Sequence, residues 1–144
     1  MSREEHRRRL ERMYVGAPCN EYYAPRIAIG EGVCDVVIPV QEKFFHSGGA
    51  VHGSVYFKVM DDAAFFAANS LVEEVLVLTA TFTVSFLRPI SRGELRARGT
   101  VVHAADRLLF AESVVSDSEG KVIGRGNGGF VRSRIALTPE IGYA

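Results

Sequence analysis

The feature that most constrains this chain is the apolar run from Ser54 to Asn69, which carries two adjacent carboxylates, Asp61 and Asp62, and follows the glycine-rich stretch from His46 to Gly53. The run has the length and composition of a helix and is apolar over most of its circumference, the pattern of a buried helix. A buried helix needs something large to cover it, and most of the remaining chain reads as strand. The expected architecture is therefore α+β, an antiparallel β-sheet wrapped around one long central helix.

Tyr22–Ile29 and Val33–Val40 have strand character, and Gly30-Glu31-Gly32 between them reads as a hairpin. In Val75–Arg88, Phe82, Val84 and Phe86 alternate with Thr81, Thr83 and Ser85, the period of two that marks a strand with one buried face. Glu94–His103 and Leu108–Ser116 follow, then the turn Asp117–Gly120 and a last strand, Lys121–Arg132. The glycines at 124, 126, 128 and 129 mark a bend or the close approach of another backbone. These four strands are expected to form a meander after the helix. Residues 1–18 read as an N-terminal helical extension and 19–144 as one domain, with Leu10 and Met13 as the apolar contacts of the extension.

Composition narrows the function. With 17 basic and 17 acidic residues the formal net charge is zero, which argues against nucleic-acid binding, an activity that needs a basic field. The cluster Arg7-Arg8-Arg9 is interleaved with Glu4, Glu5 and Glu11 and reads as a solvated helix face. Cys19 and Cys34 have no metal or redox spacing, and the four histidines have no ligand spacing with acids, so no metal site is expected. No secretory signal or bilayer-spanning stretch is visible, so the expected setting is cytoplasmic, without a membrane partner.

Asp61 is the residue that asks for a task. Its neighbours one turn away are Phe57 and Phe65, and its one positive charge within a turn is Lys58. Apolar flanks raise a carboxyl pKa and make it a better base. Asp62, by contrast, shares a polar stripe with Ser54 and Lys58 and has a structural explanation in the pair with Lys58. The spacing also allows a structural role for Asp61, capping a loop or pairing with an arginine. Gly53 offers a backbone donor at the helix start, where an anion or polarised oxygen binds. Gly53 and Asp61 are eight residues apart, roughly 12 Å along a helix axis. If both act on one small group, the site must join the helix start of one subunit to the mid-helix of another, as in a two-fold dimer with antiparallel helices.

The set His52-Gly53, Asp61 and Ala63-Ala64 resembles the hotdog-fold thioesterases, in particular the phenylacetic-acid-degradation type, whose usual form is His-Gly-Gly followed by Leu-x-Asp-x-Ala. The run Thr79 to Ile90, with Arg88-Pro89, is similar to that family's strand ending in Arg-Pro, and Gly93-Glu94-Leu95, the Asp117–Lys121 turn and Gly124–Phe130 fall where the family has equivalents. The resemblance covers about Gly32 to Arg132. It implies a hotdog fold and hydrolysis of an acyl- or aryl-CoA thioester. Asp61 is the implied base or nucleophile, with Gly53 N–H polarising the carbonyl across the interface of a homodimer or of a dimer of dimers. It implies that Thr79 helps place Asp61 and water, and that His46 stands where the family has Asn or Gln near the water. His52 and Ser54 would shape the loop at the substrate, and Ser54 replaces the usual second glycine. Arg88 and Arg92 are candidates for the coenzyme A phosphates, and Phe65, with Phe44, Phe45, Phe57 and Phe66, for the acyl pocket. Coenzyme A enters as part of the substrate and no separate cofactor is implied. Two other functions fit the same residues: a hotdog enoyl-CoA hydratase or dehydratase using His46 and Asp61, and a non-catalytic acyl-CoA-binding protein.

Overall fold

Ser2 starts the first helix. Its hydroxyl accepts the Glu5 N–H at 3.0 Å, capping α1 (Arg3–Gly16). The structure, a computed structural model, describes all 144 residues. One face of α1 buries Leu10, Met13 and Tyr14 in the same apolar core as the sheet and the central helix. His6 is fully buried as well: its Nε2 donates to the Asn69 carbonyl at 2.9 Å, which leaves Nδ1 to accept the Tyr143 hydroxyl at 2.7 Å.

The strand expected over Tyr22–Ile29 begins only at Arg26. Its first half is a short helix, α2 (Asn20–Tyr23), followed by Ala24 in the left-handed region at φ 52° and then Pro25. The Asn20 amide donates to the Tyr14 carbonyl at 2.7 Å, and the Tyr22 and Tyr23 rings stack around Phe44. These contacts outweigh the strand preference of paired tyrosines. β1 (Arg26–Ile29) and β2 (Val33–Pro39) then form the expected hairpin, with Gly32 at φ 69° in its turn.

The central helix α3 (Gly53–Asn69) matches the expectation within one residue. Ala63, Ala64, Ala67 and Ala68 are fully buried, and these small side chains let the helix close on the sheet. The closest approach is at Gly99, where a Cβ would lie 2.3 Å from the Ala63 carbonyl.

β3 (Val75–Phe86), β4 (Glu94–Ala104), β5 (Leu108–Ser116) and β6 (Val122–Ala136) complete one six-stranded sheet in the order β1-β2-β4-β5-β6-β3, every neighbouring pair antiparallel. This is a hotdog fold, the α+β class expected. The four-strand meander is corrected in one respect: β4, β5 and β6 meander, but β3 lies at the far edge beside β6, and β4 pairs with β2. The glycines of β6 explain the pairing. Phe82, Val84 and Phe86 stand opposite Gly128, Gly126 and Gly124, and the Phe82 ring lies over Gly126 and Gly128 where no Cβ would fit. β3 alternates as expected, but as an edge strand it leaves Phe82 and Val84 half-buried and Phe86 59% exposed. No helix is long and apolar enough to cross a membrane.

Candidate active site

Asp61 sits midway along α3. The Thr79 hydroxyl on β3 donates to its Oδ1 at 2.9 Å. A register shift between Thr79 and Thr81 interrupts the ladder at this point, the kind of bulge that re-aims a side chain. Burial raises the Asp61 carboxyl to about 6, with the Thr79 hydrogen bond opposing the shift, the negative Asp62 adding to it and Lys58 working against it.

Asp62 has the structural explanation expected for it. Lys58 Nζ lies 2.8 Å from its Oδ2, and the Tyr14 hydroxyl donates to the same oxygen at 2.6 Å. Burial pushes this carboxyl up too, while Lys58 and Tyr14 hold it down. The Lys58 ammonium also lies 5.0 Å from the Tyr23 ring and 5.4 Å from that of Tyr14. Tyr14 was not among the residues singled out above. Its spacing with Leu10 marks it as a core residue of α1, but nothing in the sequence ties it to Asp62.

Asp61 faces a cavity of about 690 Å³ that Phe65 and Phe66 also line. Gly53 faces a different one, of about 410 Å³, with His46, Tyr56 and Arg88. Within one protomer the carboxylate and the helix start therefore do not meet. The Gly53 N–H, first of the helix, has no acceptor in the protomer, and the Phe86 ring covers the glycine so closely that a Cβ would lie 2.9 Å from Cε1.

The loop before the helix is held by its own histidines. His52 is the N-cap: its Nδ1 accepts the Ser54 N–H at 3.0 Å and lies 2.8 Å from the Ser54 hydroxyl, so the serine in place of a second glycine is taken into the cap. His46, exposed on the loop, accepts the Gly48 N–H on Nδ1 at 2.9 Å, so a neutral ring carries its proton on Nε2. Arg88 borders the Gly53 cavity, and its carbonyl accepts the Tyr56 hydroxyl at 2.7 Å. Arg92 lies apart, in a surface depression with the Asp117–Lys121 turn. Of the candidate aromatics, Phe65 and Phe66 border Asp61. Phe44 is buried against Tyr22 and Tyr23, and Phe57 packs edge-on against Phe82. Nowhere do three His, Cys, Asp or Glu side chains converge as a metal would require.

A carboxylate tuned near neutrality beside a cavity, and a free amide at a helix start, suit hydrolytic attack on a polarised carbonyl. The family model of the thioesterase superfamily matches residues 48–123, more than half of the chain and the whole of α3, so the chain belongs to the thioesterase superfamily. It is similar to a candidate esterase of Thermoplasma volcanium, 23% identical over 100 residues that make up 69% of this chain and 75% of the relative. Among solved structures it is similar to a conserved protein of Pseudomonas aeruginosa, at 26% identity and a TM-score of 0.76, covering 81% of this chain and 94% of that one. It is also similar to the Escherichia coli PaaI protein from the phenylacetic acid degradation operon, at 21% identity and a TM-score of 0.85, covering 94% and 98%. The family describes hydrolases of thioesters.

Proposed function

We propose that this protein hydrolyses an acyl- or aryl-CoA thioester to the free acid and coenzyme A, and that it belongs to the phenylacetic-acid-degradation type. The observation that carries the reading is Asp61: a carboxylate with a raised pKa, oriented by Thr79, on the helix that the family model covers. The subtype rests on the ordered residues His52-Gly53, Asp61, Ala63-Ala64 and Arg88-Pro89.

Two such chains share each site. The Gly53 N–H of one subunit, strengthened by the α3 dipole, hydrogen-bonds the thioester carbonyl oxygen. Asp61 of the other takes a proton from water as the water adds to the carbonyl carbon. The C–S bond then breaks, and the proton held by Asp61 goes to the departing thiolate. Direct attack by Asp61 through an anhydride is the other route to the same products. Two features support the dimer. β3 is a twelve-residue edge strand with one side unpaired, and Phe57, Phe86 and Leu87, 41%, 59% and 53% exposed, leave apolar surface near the helix start. Arg88, which lines the same cavity as Gly53, would meet the coenzyme A phosphates.

The test is thiol release from acyl-CoA by wild type and Asp61→Asn. The reading expects the variant to lose at least about a hundredfold in turnover, the contribution of a positioned acid–base group. A loss below about tenfold removes Asp61 from the chemistry. Hydration of an enoyl-CoA without thiol release assigns the protein to the hydratase class instead.

A further inference from the structure

The cavity that holds Asp61 has walls of two origins. Phe65, Phe66 and Leu76 come from α3 and β3, inside the stretch shared with the family. The facing wall comes from outside that stretch: Met13 and Gly16 at the end of α1, and Ile135 and Ile141 near the C-terminus. The two terminal segments are fastened to each other and to α3. Arg12 Nε donates to the Ala144 carbonyl at 2.7 Å, and His6 bridges Tyr143 and the Asn69 carbonyl. At about 690 Å³ the cavity has the size and apolar lining of a small-molecule pocket. Its charge is one-sided: three carboxylates, Asp61, Asp62 and Glu140, face one ammonium, Lys58, which is already paired with Asp62.

We propose that this wall, made by the end of α1, the end of β6 and the C-terminal segment, rather than the stretch shared with the family, selects the acyl group. It favours neutral apolar acyl chains longer than acetyl over acyl groups that carry a carboxylate. The inference rests on the reading of Asp61 as the hydrolytic carboxylate. An apolar chain running from the reacting carbonyl enters this cavity and displaces water from Met13, Ile135 and Ile141. A second carboxylate on the acyl group meets uncompensated negative charge there.

The experiment compares kcat/KM for acetyl-, hexanoyl-, decanoyl- and succinyl-CoA by thiol release in wild type, Gly16→Phe, Ile141→Trp and Val102→Trp. A Cβ at Gly16 meets nothing within 4 Å and Ile141 is 38% exposed, so both wall variants put bulk into open space. Val102, 59% exposed on β4, is the control away from the cavity. Wild type is expected to prefer decanoyl over acetyl, and hexanoyl over succinyl, by about tenfold or more. Each wall variant is expected to lower the decanoyl-to-acetyl ratio by about tenfold, chiefly through KM for decanoyl-CoA, while Val102→Trp keeps it. Ratios within about twofold of wild type in both wall variants overturn the selectivity wall and leave the hydrolase reading standing, as does a wild type that prefers succinyl-CoA. A wild type that releases thiol from none of the four overturns the selectivity wall, and one that also leaves phenylacetyl-CoA uncleaved overturns the hydrolase reading with it.

Discussion

At the scale of a residue, the role proposed for Asp61 sets function against stability. Its carboxyl, raised by burial from an ordinary value of 3.8 to about 6, binds protons more tightly in the folded chain than in the unfolded one. Its contribution to stability is therefore full below about pH 4 and is lost as pH rises through about 6. Asp61→Asn, which can still accept the Thr79 hydrogen bond, is expected to be more stable than wild type by about 1–3 kcal/mol at pH 7.5, with the gap closing near pH 4. Urea unfolding at the two pH values measures this. In the proposed mechanism the same ionisation sets the rate. As a base Asp61 must be charged, so kcat/KM is expected to rise tenfold per pH unit below about 6 and level off above, and any residual activity of Asp61→Asn is expected to lack that limb. The raised carboxyl of Asp61 was legible because its flanks, Phe57 and Phe65, are apolar and one turn away on either side. Thr79 was legible only through the family resemblance, since its reach to Asp61 depends on the bulge in β3 and on which strand lies beside α3.

At the scale of an element, the fit of α3 against the sheet depends on missing side chains. Gly99→Ala would place a methyl 2.3 Å from the Ala63 backbone, so helix and strand must part. The expected cost is about 1–3 kcal/mol or more, read as a lower urea midpoint with an unchanged m-value. Period and length made α3, β4 and β5 legible almost to the residue. The place of β3 was not, because alternation shows which face a strand buries and says nothing of which strand it pairs with. That information lay in the match of Phe82, Val84 and Phe86 to Gly128, Gly126 and Gly124, a complementarity of sizes seen only once the strands are aligned. Tyr22 and Tyr23 misled for a related reason: the aromatic contacts that hold them in α2 reach Phe44, some twenty residues on.

At the scale of the whole molecule, Gly53 and Asp61 of one protomer line separate cavities, and the proposed mechanism needs a second copy to join them. Gly53→Pro tests the donor half. Proline is tolerated at the first position of a helix, His52 before it already has φ −62° and ψ 143°, and the substitution removes the one N–H in question. A Cβ at this position meets the end of the Phe86 ring at 2.9 Å, so that ring must turn aside. Alone, Gly53→Pro is expected to lose about a hundredfold or more in turnover. The decisive measurement mixes it with Asp61→Asn, two variants each nearly inactive, and exchanges their subunits. The account predicts that activity returns to about one quarter of wild type, because each mixed dimer holds one site with both groups intact. Activity that stays at the sum of the two parents, with mixed dimers present, contradicts it.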